Sequence, residues 1–275
     1  MACRQDLLGC RKKWSYNPTA AGKTKGNAMD DVAMVGDGTR GLSQVERVLD
    51  VFVAPSKTFT DILRSTAWWL PFLLLLASSV GTAYVVERQV GFERVYENQV
   101  NQSPRTQERL SALTPEERAQ SDKRAIAVTK YFSYGAFVFI LVFMALYALL
   151  LWAAFNFGLG ASATFAQVFA VTMYAALPYL LISLLTVLTL CLGGGAEGYD
   201  YKNPVGTNLA YYLPDVSPWL KGLLESFDVV KLWSVVLQVI GLAIVAKKKM
   251  AQSAMIVGFF WLIGVVFSVV GAVFS

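Results

Sequence analysis

The chain has 275 residues, 55% hydrophobic and only 16% charged, with positive mean hydropathy and a formal charge of +5. Soluble domains carry roughly 25% charged residues, so this composition points to an integral membrane protein. Histidine is absent, which excludes Ser-His-Asp and Cys-His nucleophilic catalysis and histidine-ligated zinc or haem.

Residues 1–41 are polar and glycine-rich, with short charge runs and no apolar period, and read as a disordered cytoplasmic tail. Two motifs in it fail on inspection. Leu7-Leu8-Gly9-Cys10 resembles a lipoprotein cleavage box but has no apolar stretch before it. Gly22-Lys23-Thr24 resembles the end of a phosphate-binding loop, but Asn17 stands where the upstream glycine belongs. Met29 and Met34 offer alternative starts, which would make part of the tail an over-extension.

The membrane domain is expected over residues 42–275. Ser43-Gln44-Val45-Glu46 has capping-box spacing, so a helix should begin near Gln44 with Val45, Val48, Leu49 and Phe52 on its apolar face. Pro55 suits the first turn of a new helix and would end the previous one. Phe59, Ile62 and Leu63 then recur at helical spacing, and Trp68 and Trp69 stand where the first long apolar run begins, the depth that indoles prefer. Together these residues predict an amphipathic interfacial helix, serving as a membrane anchor or as a docking surface for a partner. On that reading Phe59→Asp weakens membrane seating and leaves the bundle intact.

Five spans are predicted, at about residues 68–86, 131–155, 165–192, 229–246 and 255–274, giving an all-α polytopic bundle of five transmembrane helices. The polar insert 87–130 contains two helix starts, Ser103-Pro104 and Thr114-Pro115-Glu116-Glu117, and should form a short helical hairpin outside the bilayer. Pro178 should kink or tilt the third span. Residues 193–228 form a second external segment rich in Gly, Pro and Tyr, whose Tyr211, Tyr212 and Trp219 suggest that it lies on the headgroups. Lys247-Lys248-Lys249 occupies a very short loop, and the positive-inside rule places it in the cytoplasm. The N-terminus is then cytoplasmic and the C-terminus outside; the basic tail agrees, and Arg88 and Lys130 disagree mildly.

The chemistry available is thin. Cys3, Cys10 and Cys191 make neither a disulfide framework nor a zinc site. The basic residues are interleaved with acids, which fits anionic lipid rather than nucleic acid. The predicted spans hold Asn156, Gln167, Thr172, Thr186, Thr189, Gln238 and the borderline Lys231, residues that hydrogen-bond between helices, and no deep Asp or Glu. No cofactor or metal is implied. Gly264, Ser268 and Ala272 form a small-xxx-small face for helix packing, within the chain or between chains. Asp228 should cap the fourth span and can pair with Lys231, with Trp233 at interface depth; the alternative is a binding role.

The run Val51-Phe52-Val53-Ala54-Pro55-Ser56-Lys57-Thr58-Phe59, then Trp68-Trp69-Leu70-Pro71, is one of three motifs that carry a resemblance. The others are Asn203-Pro204 with Asn208-Leu209, and Phe227-Asp228-Val229-Val230-Lys231-Leu232-Trp233 running into Gly241-Leu242-Ala243. From about Leu42 to its end the chain resembles the Yip (Ypt/Rab-interacting protein) domain family, most closely the prokaryotic branch. The resemblance implies five membrane helices, a cytoplasmic N-terminus, no known catalysis and a bacterial inner membrane. Eukaryotic members resemble trafficking factors that bind small GTPases; with a short basic tail here, that partnership is not carried over. Expected partners are membrane lipids and another membrane protein or a second copy of the chain.

The leading expectation is a non-enzymatic scaffold or adaptor in membrane organisation. The alternative is a transporter, channel or lipid-handling protein, which a continuous polar cavity would favour. A membrane enzyme, with an external carboxylate site on Asp200, Asp215 or Glu225, ranks third.

Overall fold

The computed structural model describes residues 41–193, 195–213 and 215–274, and it is all-helical, with no strand among the described residues. The tail expected to be disordered lies outside the described residues except for Gly41. Ser43 caps α1 (Gln44–Val53): its Oγ accepts from the Glu46 amide at 3.2 Å, and Glu46 Oε2 accepts from the Ser43 amide at 2.6 Å. Ala54 leaves the helical region and Pro55 opens α2 (Pro55–Ile62).

The first span is α3 (Trp69–Gln89). The insert forms α4 (Phe92–Asn101) and α5 (Pro104–Ser111), then α6 (Pro115–Ala153), with Ser103 and Thr114 as side-chain caps. The helix starting at Pro115 does not turn back as one arm of a separate hairpin. It runs for 39 residues straight into the membrane and ends in a π-helical turn, Ala154–Gly158. Tyr96 donates to Asp122 at 2.8 Å and so ties α4 to the outer part of α6.

The third span breaks into α7 (Phe165–Ala175) and α8 (Tyr179–Cys191) at Pro178, whose ring cannot continue the hydrogen-bond ladder. A 3-10 turn at Leu209–Tyr212 precedes α9 (Pro218–Ser226), α10 (Val229–Val245) and α11 (Met250–Phe274).

Four helical stretches are long and apolar enough to cross a membrane, and α9 with α10, bent by 48°, makes a fifth if the pair is one span. The predicted start of the fourth span near Val229 matches the start of α10, with Asp228 as its N-cap; the helix α9 before it was not expected.

α7 is the centre of the packing. Val168 to Ala175 are all buried, because α1, α2, α6 and α10 surround the helix, and a helix apolar on every side can be satisfied only in such a position. α9 lies against the outer half of α11. A Cβ on Gly222 would stand 2.8 Å from the Ser268 carbonyl oxygen and 2.9 Å from Ala272 Cβ, and Ser268 Oγ donates to Gly222 O at 3.1 Å. Ser268 and Ala272 therefore pack within this chain, while Gly264 has open space beside it. Because backbone atoms cannot give way, Gly222→Val should part α9 from α11 and destabilise the purified protein by about 1–3 kcal/mol. A denaturation midpoint equal to that of the unaltered chain would contradict this packing.

Candidate functional site

A cavity of about 730 Å³ lies among α3, α6, α7, α8, α10 and α11, with Tyr199, Tyr201 and Pro204 of the segment after α8 at its edge. Its size falls in the range of small-ligand sites, about 300–1,000 Å³. The polar lining follows helical spacing. Ser78, Ser79 and Thr82 share one face of α3, and Ser183 and Thr186 face them from α8. Some lining hydroxyls are spent on structure: Thr172 donates to Val168 O at 3.0 Å, Thr186 to Ile182 O at 2.8 Å and Ser234 to Ala175 O at 2.6 Å. Tyr147 joins α6 to α10 by donating to Gln238 Oε1 at 2.9 Å.

One is unmet. Thr82 Oγ1 is buried with no hydrogen-bond partner, and leaving it unmet in an apolar setting costs about 1–3 kcal/mol. Ser78, Ser79 and Ser183 line the same space and are half-buried. The cavity is chemically prepared for something with polar atoms.

Beside it lies the break between α9 and α10, where three residues singled out in the sequence come together. Asp228 is buried and accepts from the amides of Val230 and Lys231 at 2.9 and 3.1 Å. Its other oxygen accepts from the Thr207 hydroxyl and from Asn208 Nδ2. Asn208 Nδ2 also donates to Asn203 Oδ1 at 2.8 Å, and the Val229 amide donates to Thr207 O at 3.1 Å. These bonds pull the Asn203–Asn208 loop into the outer half of the bundle, which brings Pro204 to the cavity edge. The expected cap is present, but the expected Asp228–Lys231 pairing is not: Lys231 Nζ donates to Glu225 O at 3.1 Å.

The foot formed by α1 and α2 is not seated in lipid by Phe59. Phe59 and Ile62 are fully buried in the bundle core, and Phe59 fits against Gly241, where a Cβ would stand 2.9 Å from its ring. Pro55 serves as the first residue of α2. Phe52 meets Trp233 edge-on with ring centres 5.5 Å apart, and Trp68 packs on Phe169 at 5.0 Å, leaving Trp69 as the outward indole of the pair. The expectation of Phe59 as a lipid anchor is corrected, because its ring is fully buried inside the chain; Trp68 packs on Phe169 and stays partly exposed.

The foot is locked by an ion pair that the sequence did not single out. Arg47 is completely buried; its Nε donates to Asp61 Oδ2 at 2.6 Å and its Nη1 to Ser65 O at 2.8 Å. Thr58 Oγ1 donates to Arg47 O at 2.9 Å, and Tyr174 of α7 donates to Gln44 Oε1 at 2.9 Å. The apolar residues left facing outward on α1 are Val45, Leu49 and Val53, the last 84% exposed.

Among the described residues no group of His, Cys, Asp and Glu could hold a metal ion. The model of the Yip1 domain family matches residues 49–271. No curated protein and no solved structure gives a significant match.

Proposed function

We propose that this chain, which belongs to the Yip1 domain family, is a multi-pass membrane protein that handles lipids by holding an amphiphilic molecule in its central cavity, without catalysing a reaction. The observation that carries this reading is the cavity of about 730 Å³, lined by serine and threonine side chains of α3 and α8 and holding the buried, unmet Thr82 hydroxyl. A continuous polar cavity was the feature expected to favour transport or lipid handling; this cavity is mostly apolar with a group of hydroxyls on one side, a lining that suits an amphiphile. Lys248 Nζ donates to Gly160 O at 3.1 Å, so the triple-lysine loop and the loop after α6 lie at one end of the bundle. That end is assigned to the cytoplasm of a bacterial inner membrane on the positive-inside rule.

A second reading, the adaptor, rests on a different observation: Val45, Leu49 and Val53 recur every four residues as an exposed apolar stripe. One experiment separates the two. The full chain is purified from its native membranes in mild detergent, and proteins and lipids are identified together by mass spectrometry. A reproducible amphiphile retained near one per chain, and lost when Ser183→Phe fills the cavity, is the expected result. A stoichiometric protein partner with no retained amphiphile would overturn it in favour of the adaptor.

A further inference from the structure

We infer that the cavity selects acidic single-chain amphiphiles, with Lys231 as the group that recognises the acid; this rests on the lipid-binding reading above. Lys231 carries the single charge among the residues that line the cavity. Asp228 and Glu225, its acidic neighbours, are not part of the lining, and no ion pair joins Lys231 to any described carboxylate. Asp228 is already held by four donors from the chain.

Lys231 stands fifteen residues before Ala246, roughly 22 Å from the lysine loop at about 1.5 Å per residue. That depth lies inside a hydrocarbon core of about 30 Å. An ammonium there is costly unless it is paired, and ionisable groups at such depths usually mark ligand paths. The ammonium has three donors, and one is used on Glu225 O at 3.1 Å. The remaining two can meet an anionic oxygen in the cavity. The serine and threonine hydroxyls of α3 and α8 offer further donors, whereas Leu75, Ile140, Met144 and Phe260 supply apolar wall for a chain. The cavity volume suits one acyl chain and a small headgroup rather than a two-chain phospholipid.

The acid could be a carboxylate or a phosphodiester, so the test uses both with a matched control. Binding of oleate, of oleoyl lysophosphatidylglycerol and of zwitterionic oleoyl lysophosphatidylcholine to the full chain is measured by native mass spectrometry. The unaltered chain, Lys231→Gln and Lys231→Arg are compared. At least one acidic amphiphile should bind about tenfold or more tightly than the zwitterion, and the stronger acid names the headgroup class. Lys231→Gln should abolish that preference by weakening the acidic amphiphile about tenfold or more, to the level of lysophosphatidylcholine, and Lys231→Arg should keep it. Equal binding of acids and zwitterion, or a preference that survives Lys231→Gln, overturns the charge recognition and leaves the lipid-binding reading standing. If none of the three binds, the lipid-binding reading itself fails.

Discussion

Asp61→Asn is expected to undock the α1–α2 foot and to cost about 3–5 kcal/mol, the usual loss when one partner of a buried ion pair is removed. The substitution keeps the shape of the side chain and leaves Arg47, with no exposed surface, facing no counter-charge. Arg47→Met should be similarly damaging, because it strands the Asp61 carboxylate and the Ser65 and Asp61 carbonyl oxygens that Arg47 now binds. The double variant should cost clearly less than the two single losses added together, since charges in direct contact couple. Hydrogen exchange over residues 44–65 reads the undocking directly. Additive single effects would show that the pair does not hold the foot.

The same pair sets an acid limit. Burial pushes the Asp61 carboxyl up, but hydrogen bonds from Arg64 and Arg47, with their charges, outweigh burial and hold it below the usual carboxylate range. A carboxyl that binds its proton less readily when docked adds stability that is complete above its undocked value of about 4. That contribution is lost as pH falls from there through the docked value. Exchange of the foot, taken relative to the intrinsic amide rate at each pH, should therefore be flat from neutral pH down to about 5 and accelerate below about 4. In Asp61→Asn this acceleration should be absent.

The sequence revealed helix starts better than helix positions. Ser43, Ser103 and Thr114 announce their helices because a cap is a local bargain between one side chain and amides two or three residues on. Pro178 likewise breaks its span by its own covalent geometry. The inner face of α1 was illegible for the opposite reason. Its apolar residues spread over a wide arc that includes Arg47, and a charge on a short helix reads as solvent-facing unless its partner is known. That partner, Asp61, lies fourteen residues on and comes close only when α2 folds back. The cavity was half legible: Thr186 and Gln238 stood out as polar residues in spans. Ser78, Ser79 and Ser183 carried the same helical-spacing signal but look like ordinary small packing residues until α3 and α8 are seen to face each other. Asn203, Asn208 and Asp228 were singled out as separate points, and only the bend before α10 makes them one cluster.

Phe59→Asp is the sharpest divide between the foot that the sequence suggested and the foot that the fold builds. On a membrane surface the change would loosen an anchor and spare the bundle. In the structure Phe59 is fully buried, with Val171 and Gly241 against it. The slot exists because residue 241 has no side chain: a Cβ there would meet Val171 Cγ1 at 2.5 Å and the Phe59 ring at 2.9 Å. Losing a buried phenyl ring alone costs about 3–5 kcal/mol, and a carboxylate left without a partner in that slot adds to it. Phe59→Asp should therefore lose more than about 4 kcal/mol and fail to accumulate as a folded protein. Val53→Asp, on the outward stripe of the same foot, should change stability by less than about 0.5 kcal/mol. It should instead weaken whatever that stripe touches, lipid or partner. Fluorescence-detected gel filtration of both variants after graded heating decides between the two pictures. A stable Phe59→Asp bundle beside an unstable Val53→Asp one would mean that α1 and α2 dock with the opposite face inward. Equal tolerance of both would return the foot to the membrane surface.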